Sequence, residues 1–235
     1  MFHMKQSNLQ LQWYEKLWHD IASSGESIAE LERIFYDNAL DLLRGRVLVI
    51  NSLEVQLCEV EFYHYSTRHQ DPFVHEDERL RETKEQIYVH KKAWQRGGMG
   101  LTFGNGTDRS TILFRGIKCD DEFVAGPVGV KKFVVDKLHL DIGDHKTLQS
   151  YFDSARVELL KRDLQDDLRV INAPREGLSS KDVSFREALY RFVRSDYLVA
   201  KRGESFKSYA NLKDRSLLLK RGDGINEIVL KYAPK

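Results

Sequence analysis

Two carboxylates and a phenol recur at alternate positions in the stretch Leu57–His75, LCEVEFYHYSTRHQDPFVH. In an extended strand the side-chain period is two. Glu59, Glu61 and Tyr63 therefore project from one face, and Cys58, Val60 and Phe62 from the other. A carboxylate beside a phenol near a strand end is a candidate general base with an aromatic surface next to it. The loop that follows, rich in His, Asp and aromatics, is the kind of segment on which chemistry is mounted over a rigid frame. The same residues also describe a half-solvated strand with an acidic outer face. His64, His69 and His75 match no familiar metal spacing and no cysteine joins them, so no metal is expected.

A second segment with chemical potential is Lys91-Lys92-Ala93-Trp94-Gln95-Arg96. Lys91, Lys92 and Arg96 around Trp94 suit phosphate contact and stacking on a base. A solvated loop anchored by its Trp fits these residues equally well. Gly97–Gly106 is rich in glycine but lacks the GK[ST] of a phosphate-binding loop.

The elements that must position these groups are legible from periodicity. Leu9, Trp13, Leu17 and Ile21, widened by Trp18, predict an amphipathic helix over 8–22. Ser27 with Glu30 forms a capping box for a second helix, and Asp37-Asn38 predicts a recapped third one ending at Gly45. Val47–Ile50 reads as a buried strand, Asn51-Ser52 as a turn, and Val55–Tyr63 as its antiparallel neighbour. Asp77–Gln86 is highly charged and predicts a solvated helix or loop, followed by a strand-like Ile87–His90. Gly104-Asn105-Gly106 predicts a hairpin turn between strands Met99–Phe103 and Ser110–Phe114. Gly126-Pro127 opens a helix to Lys137. Leu148, Tyr151, Phe152, Ala155, Leu159 and Leu164 predict a helix over 147–168. Val170–Ala173 is strand-like, Ala188–Val199 leans to β structure, and residues 216–232 predict a hairpin turning at Gly222-Asp223-Gly224.

This mixture predicts an α+β fold, with a largely antiparallel sheet and helices around it. The 235 residues suit one large domain. Hydrophobic residues at 41% and charged residues at 31% are globular values, and a net charge of +1 announces no bulk affinity for nucleic acid. Cys58 and Cys119 form no CxxC and no disulfide framework. No apolar run reaches the roughly 20 residues of a membrane span, and residues 1–20 lack a signal-peptide pattern, which predicts a cytoplasmic protein.

Several segments occur in the order found in one family. Ala39-Leu40-Asp41-Leu42-Leu43-Arg44-Gly45 leads into the strand Val47-Leu48-Val49-Ile50. Glu59-Val60-Glu61-Phe62-Tyr63 follows, then Asp71-Pro72-Phe73-Val74-His75, Tyr88-Val89-His90, Ile112-Leu113-Phe114-Arg115 and Gly126-Pro127. Arg175-Glu176-Gly177 and Arg191-Phe192-Val193 close the series. Across about residues 34–200 the chain resembles the alkyladenine (3-methyladenine) DNA glycosylases, a single-domain family with a curved antiparallel sheet. The resemblance implies a core over 31–202, a helical N-terminal extension over 1–30 and a C-terminal extension with a β-hairpin over 203–235.

The resemblance also implies roles. Glu61 activates the water that attacks the sugar C1′, and Arg115 holds that carboxylate and water. Tyr63 stacks on the flipped base, His75 packs against it, and His90, where the family carries tyrosine, forms the other wall. Lys91, Lys92 and Arg96 contact DNA, and Trp94 takes the place of the wedge that fills the gap in the duplex. Glu59 is expected to tolerate change. The implied activity is base excision of damaged purines from double-stranded DNA, without cofactor or metal. A nucleic-acid-binding relative without turnover is the alternative.

Overall fold

The sheet takes its curvature from one long strand that changes partners along its length. The computed structural model describes residues 7–90, 97–141, 143–163, 168–179 and 182–200. Among these, strand β1 (Arg46–Ile50) pairs antiparallel with the start of β2 (Leu53–Tyr65), Leu48 facing Val55. Farther along, β2 leaves β1 and pairs with β9 (Arg191–Arg194), Glu61 facing Arg191. On its other side β2 pairs with β5 (Arg109–Cys119) over most of its length. Strands β3 (Lys84–Val89) and β4 (Met99–Phe103) continue the sheet beyond β5. β6 (Glu122–Ala125) pairs with the far end of β5, β7 (Val157–Lys161) with β1, and β8 (Val170–Ala173) with β9. Every pairing among the described residues is antiparallel, and the fold is α+β with a curved sheet.

Helices α1 (Ser7–Ala22) and α2 (Ile28–Gly45) cover one face. Trp13, Leu17 and Ile21 of α1 are buried in the same core as Phe35 of α2 and Phe62 of β2. The Phe35 and Phe62 rings stack at 4.7 Å. The capping box forms: the Ser27 hydroxyl oxygen accepts from the Glu30 amide, and the Glu30 carboxylate accepts from the Ser27 amide. The predicted break at Asp37-Asn38 does not occur. Asn38 is buried and its side-chain Nδ2 donates to the Ile34 carbonyl at 2.8 Å, back along the helix and not at a new cap.

The corner between α1 and α2 is fastened to the end of β2 by Glu26. This buried residue has a left-handed φ of 57°, a strain that persists where surroundings over-determine it. Its carboxylate accepts from the Ser66 hydroxyl and from Arg68 Nη2, and lies 3.4 Å from His64 Nε2. Its carbonyl lies 3.1 Å from His69 Nδ1. The hydrogen bond with His64, reinforced by Ser66, outweighs burial and pulls the Glu26 pKa down to about 2. Burial, with His64 adding to it, pushes His69 down to about 4.

Three other expectations are corrected. Over 147–168, helix α5 (His145–Ser154) stops early and β7 follows. The open edge of β1 claims 157–161, and Asn51 exchanges two hydrogen bonds with the Arg156 backbone at the turn. Over Asp77–Gln86, a short helix α3 (Arg79–Glu82) buries Leu80, and β3 begins at Lys84. Over 188–199, the strand is confined to Arg191–Arg194, and α7 (Ser195–Ala200) follows it. Helix α4 (Pro127–Lys137) opens at Gly126, whose φ of 80° suits glycine, as the Gly-Pro pair predicts. The hairpin expected over 216–232 lies outside the described residues, as do Lys91, Lys92, Trp94 and Arg96. No helix among the described residues is long and apolar enough to cross a membrane.

Candidate active site

An irregular ladder builds the site. Between β2 and β5, Leu57 faces Ile117, Glu59 faces Gly116 and Val60 faces Phe114. The first irregularity turns Cys58 away from Val60 and Phe62. It packs instead with Ile171, Ala173, Val193 and Tyr197, against the simple alternation predicted for this strand. The second leaves Arg115 as the residue that the register skips. A bulge re-aims the side chain it releases, and here Arg115 reaches three carboxylates. Its Nε donates to Glu59 Oε1 at 3.0 Å, its Nη1 lies 3.3 Å from Glu61 Oε1, and its Nη2 donates to Glu176. The Gly126 amide holds the Arg115 carbonyl at 2.7 Å, where α4 begins.

The acidic face of β2 is therefore not solvated. Glu59 and Glu61 are both completely buried. Glu61 accepts from the Tyr63 hydroxyl at 2.9 Å and from the Glu176 amide at 2.8 Å, besides facing Arg115. An ionised carboxylate has about four acceptor sites, so one remains for a further donor. Burial, then the Glu61 charge, raises the Tyr63 pKa well above the usual phenol value. Tyr63 thus stays protonated and donates. The expectation that Glu59 tolerates change is at odds with its burial against Arg115.

Behind Tyr63 lies a buried ion pair. Arg175 Nη1 donates to Asp71 Oδ2 at 2.6 Å and to the Phe62 carbonyl at 3.3 Å, while Nη2 donates to the Phe185 carbonyl at 3.1 Å. Its guanidinium sits 4.5 Å from the centroid of the Tyr63 ring. Burial disfavours the Arg175 cation, but the Asp71 carboxylate, with Tyr63 and Glu61 adding to it, offsets this, so its pKa is raised. The next residue, Glu176, bridges Arg115 and the fully buried Arg191.

The opposite wall is aromatic. The His75 and His90 rings meet edge-on at 5.0 Å, and Tyr88 lies 5.0 Å from His90. The Tyr88 hydroxyl donates to Asp77 Oδ2 at 3.2 Å, so it faces His75 Nδ1, 3.3 Å away, as an acceptor. Between the walls is a cleft of about 450 Å³, lined by Glu61, Tyr63, His75, His90, Arg115 and Glu176 among others. The structure thus brings together the five residues singled out as catalytic or base-binding.

Glu59, Asp71, Arg175, Glu176 and Arg191 complete the site without having been assigned a role from sequence. A signal existed for some of them: Arg191 stands between Tyr190 and Phe192, and a charge inside an apolar strand implies a buried partner. His64 and His69 lie on the helix-covered side of β2, stacked at 5.8 Å, separated by the strand from the cleft. Among the described residues no group of His, Cys, Asp and Glu could hold a metal ion.

No family model matches the chain. It is 26% identical over 211 residues to a protein of Acanthamoeba polyphaga mimivirus described as uncharacterized, a match that spans 77% of this chain and 96% of that protein.

Proposed function

We propose that the protein is a base-excision glycosylase that hydrolyses the N-glycosidic bond of a damaged purine turned out of double-stranded DNA. The observation that carries this reading is Glu61: a carboxylate at the floor of a base-sized cleft, beside the flat face of Tyr63, fixed by Arg115 at 3.3 Å. Three donors orient it, and the remaining acceptor site suits a water aimed at the sugar. The negative charge left there stabilises the oxocarbenium character that develops as the bond breaks. The leaving base departs between Tyr63 on one side and His75 and His90 on the other. A positively charged alkylated base needs little further assistance. This chemistry needs the base outside the stack, at a cost of about a few kcal/mol in unstacking and unpairing.

A second reading keeps the cleft as a base-binding pocket without turnover. The complete burial of Glu61 and its three existing donors favour it. The two readings separate in an excision assay on duplexes carrying 3-methyladenine, 7-methylguanine, hypoxanthine or ethenoadenine. Release of a base by the wild type and its loss in Glu61→Gln support hydrolysis. Binding of the lesion duplex without release supports the second reading. Release undiminished in Glu61→Gln overturns the assignment of Glu61.

A further inference from the structure

We infer that Gln149 of α5 is a positioning residue for the aromatic wall of the cleft: it holds the outer edge of β3 and, through Val89, fixes His90. The consequence for ligands rests on the reading of the cleft as a base pocket, not on turnover. Among the described residues β3 is the end strand of the sheet, with β4 on one side only. An end strand presents unpaired backbone donors and acceptors. Here a side-chain amide meets them. Gln149 Oε1 accepts from the Val89 amide at 2.7 Å, and Nε2 donates to the Ile87 carbonyl at 2.9 Å. His145, one turn earlier on α5, places Nε2 2.7 Å from the Val89 carbonyl, which only accepts, so the ring donates.

Val89 is therefore bonded through both its amide and its carbonyl on the outer edge. The next residue, His90, is bonded on the inner edge, its amide donating to the Gly98 carbonyl at 3.0 Å. Covering a strand edge needs no directional bonds, since charge or bulk suffices. Three directional bonds gathered on Ile87 and Val89 instead fix the height and tilt of the strand just where it delivers His90 to the cleft. A second route reaches His75. Gln149 Nε2 also donates to Asp153 Oδ1 at 3.0 Å, and that oxygen lies 2.5 Å from Arg79 Nη1. The Arg79 amide donates to Asp77 at 3.1 Å, and Asp77 accepts from the Tyr88 hydroxyl that faces His75. Arg79 and Asp153 are partly exposed, so their pair holds weakly. Gln149 is buried, so the route through Val89 carries the effect.

The test compares the full chain with Gln149→Met, which keeps the length of the side chain and removes its hydrogen bonds. Leu31→Ala, a core truncation in α2 on the helix-covered side of the sheet, is the control for lost stability alone. Two readouts are taken. One is the nuclear Overhauser contact between the His75 and His90 rings, whose centroids lie 5.0 Å apart. The other is the affinity for 1-methyladenosine by titration calorimetry. Gln149→Met is expected to lose the ring contact and to bind the nucleoside about tenfold more weakly. Leu31→Ala is expected to melt at a lower temperature with both readouts unchanged. An unchanged ring contact or an unchanged affinity in Gln149→Met overturns the inference, as does an equal loss in Leu31→Ala. If Gln149→Met does not fold, His145→Ala, which removes the bond to the Val89 carbonyl, takes its place under the same criteria. A wild type that binds no nucleoside overturns the base-pocket reading, and the ring contact alone then decides the inference.

Discussion

Asp71 and Arg175 form a fully buried ion pair, Oδ2 to Nη1 at 2.6 Å, directly behind the Tyr63 ring. The pair joins two segments 104 residues apart in the chain, the loop after β2 and the stretch after β8. Both are needed for one wall of the cleft. A buried pair of this kind contributes little by existing, yet loses much when one member goes.

Asp71→Asn is therefore expected to destabilise the fold by about 3 to 5 kcal/mol, since it strands the Arg175 cation. The double variant Asp71→Leu with Arg175→Met should recover most of that loss. Equilibrium denaturation measures both, and equal losses in the single and double variants would count against the pair.

Glu59 is a supporting member of the cluster around Arg115 and not an idle surface residue. Glu59→Gln keeps the shape but removes the charge that holds Arg115 Nε at 3.0 Å. The expected cost is about 2 kcal/mol of stability, the scale of a charge-assisted hydrogen bond. Base release should fall with it, as Arg115 loses one of its anchors. Thermal denaturation and the excision assay read the two effects, and a variant indistinguishable from wild type would refute this role.

Acidification should weaken the corner between α1 and β2 in two stages. The His69 pKa is lowered from 6.5 to about 4, so the unfolded chain takes up its proton first. Stability from the neutral ring is present above 6.5 and is lost as pH falls towards 4. At about 1.4 kcal/mol per pKa unit, the full loss is on the order of 3 kcal/mol. Glu26, lowered from 4.5 to about 2, adds a second loss across that lower range. Melting temperature against pH should decline below 6.5, and His69→Gln should flatten the first stage.

Gly98 borders the cleft where β4 meets the start of α4. A Cβ there would lie 2.7 Å from Pro127 Cβ and 2.9 Å from Leu113 Cδ1. The Gly98 carbonyl also accepts from the His90 amide at 3.0 Å. Gly98→Ala should cost about 1 to 3 kcal/mol by overpacking and weaken nucleoside binding by shifting His90. Titration calorimetry with 1-methyladenosine checks this, and unchanged affinity would show that His90 does not follow Gly98.

The helices with caps and apolar stripes were legible in the residues because local chemistry fixes them. Ser27 with Glu30 starts α2, Gly126-Pro127 starts α4, and Trp13, Leu17 and Ile21 mark the buried face of α1. Residues 155–161 and Asn38 were misread for the converse reason. The apolar spacing of 155–161 suits a helix as well as a strand, and the open edge of β1 decided the matter. Asn38 looked like a cap, but its Nδ2 donates to the Ile34 carbonyl inside α2.

For the site, the sequence determined the residue types and the alternation that sets Glu59, Glu61 and Tyr63 on one strand. The resemblance set Arg115 against Glu61, but that Arg115 also meets Glu59 and that the face is closed to water were beyond the sequence. Two irregularities in the β2–β5 ladder decided this, by releasing Arg115 towards the carboxylates and turning Cys58 away. The convergence of Asp71 with Arg175, and of Glu176 with Arg115 and Arg191, was likewise a tertiary decision. Each unites charges from distant segments, and a buried charge is tolerated where the fold delivers its partner.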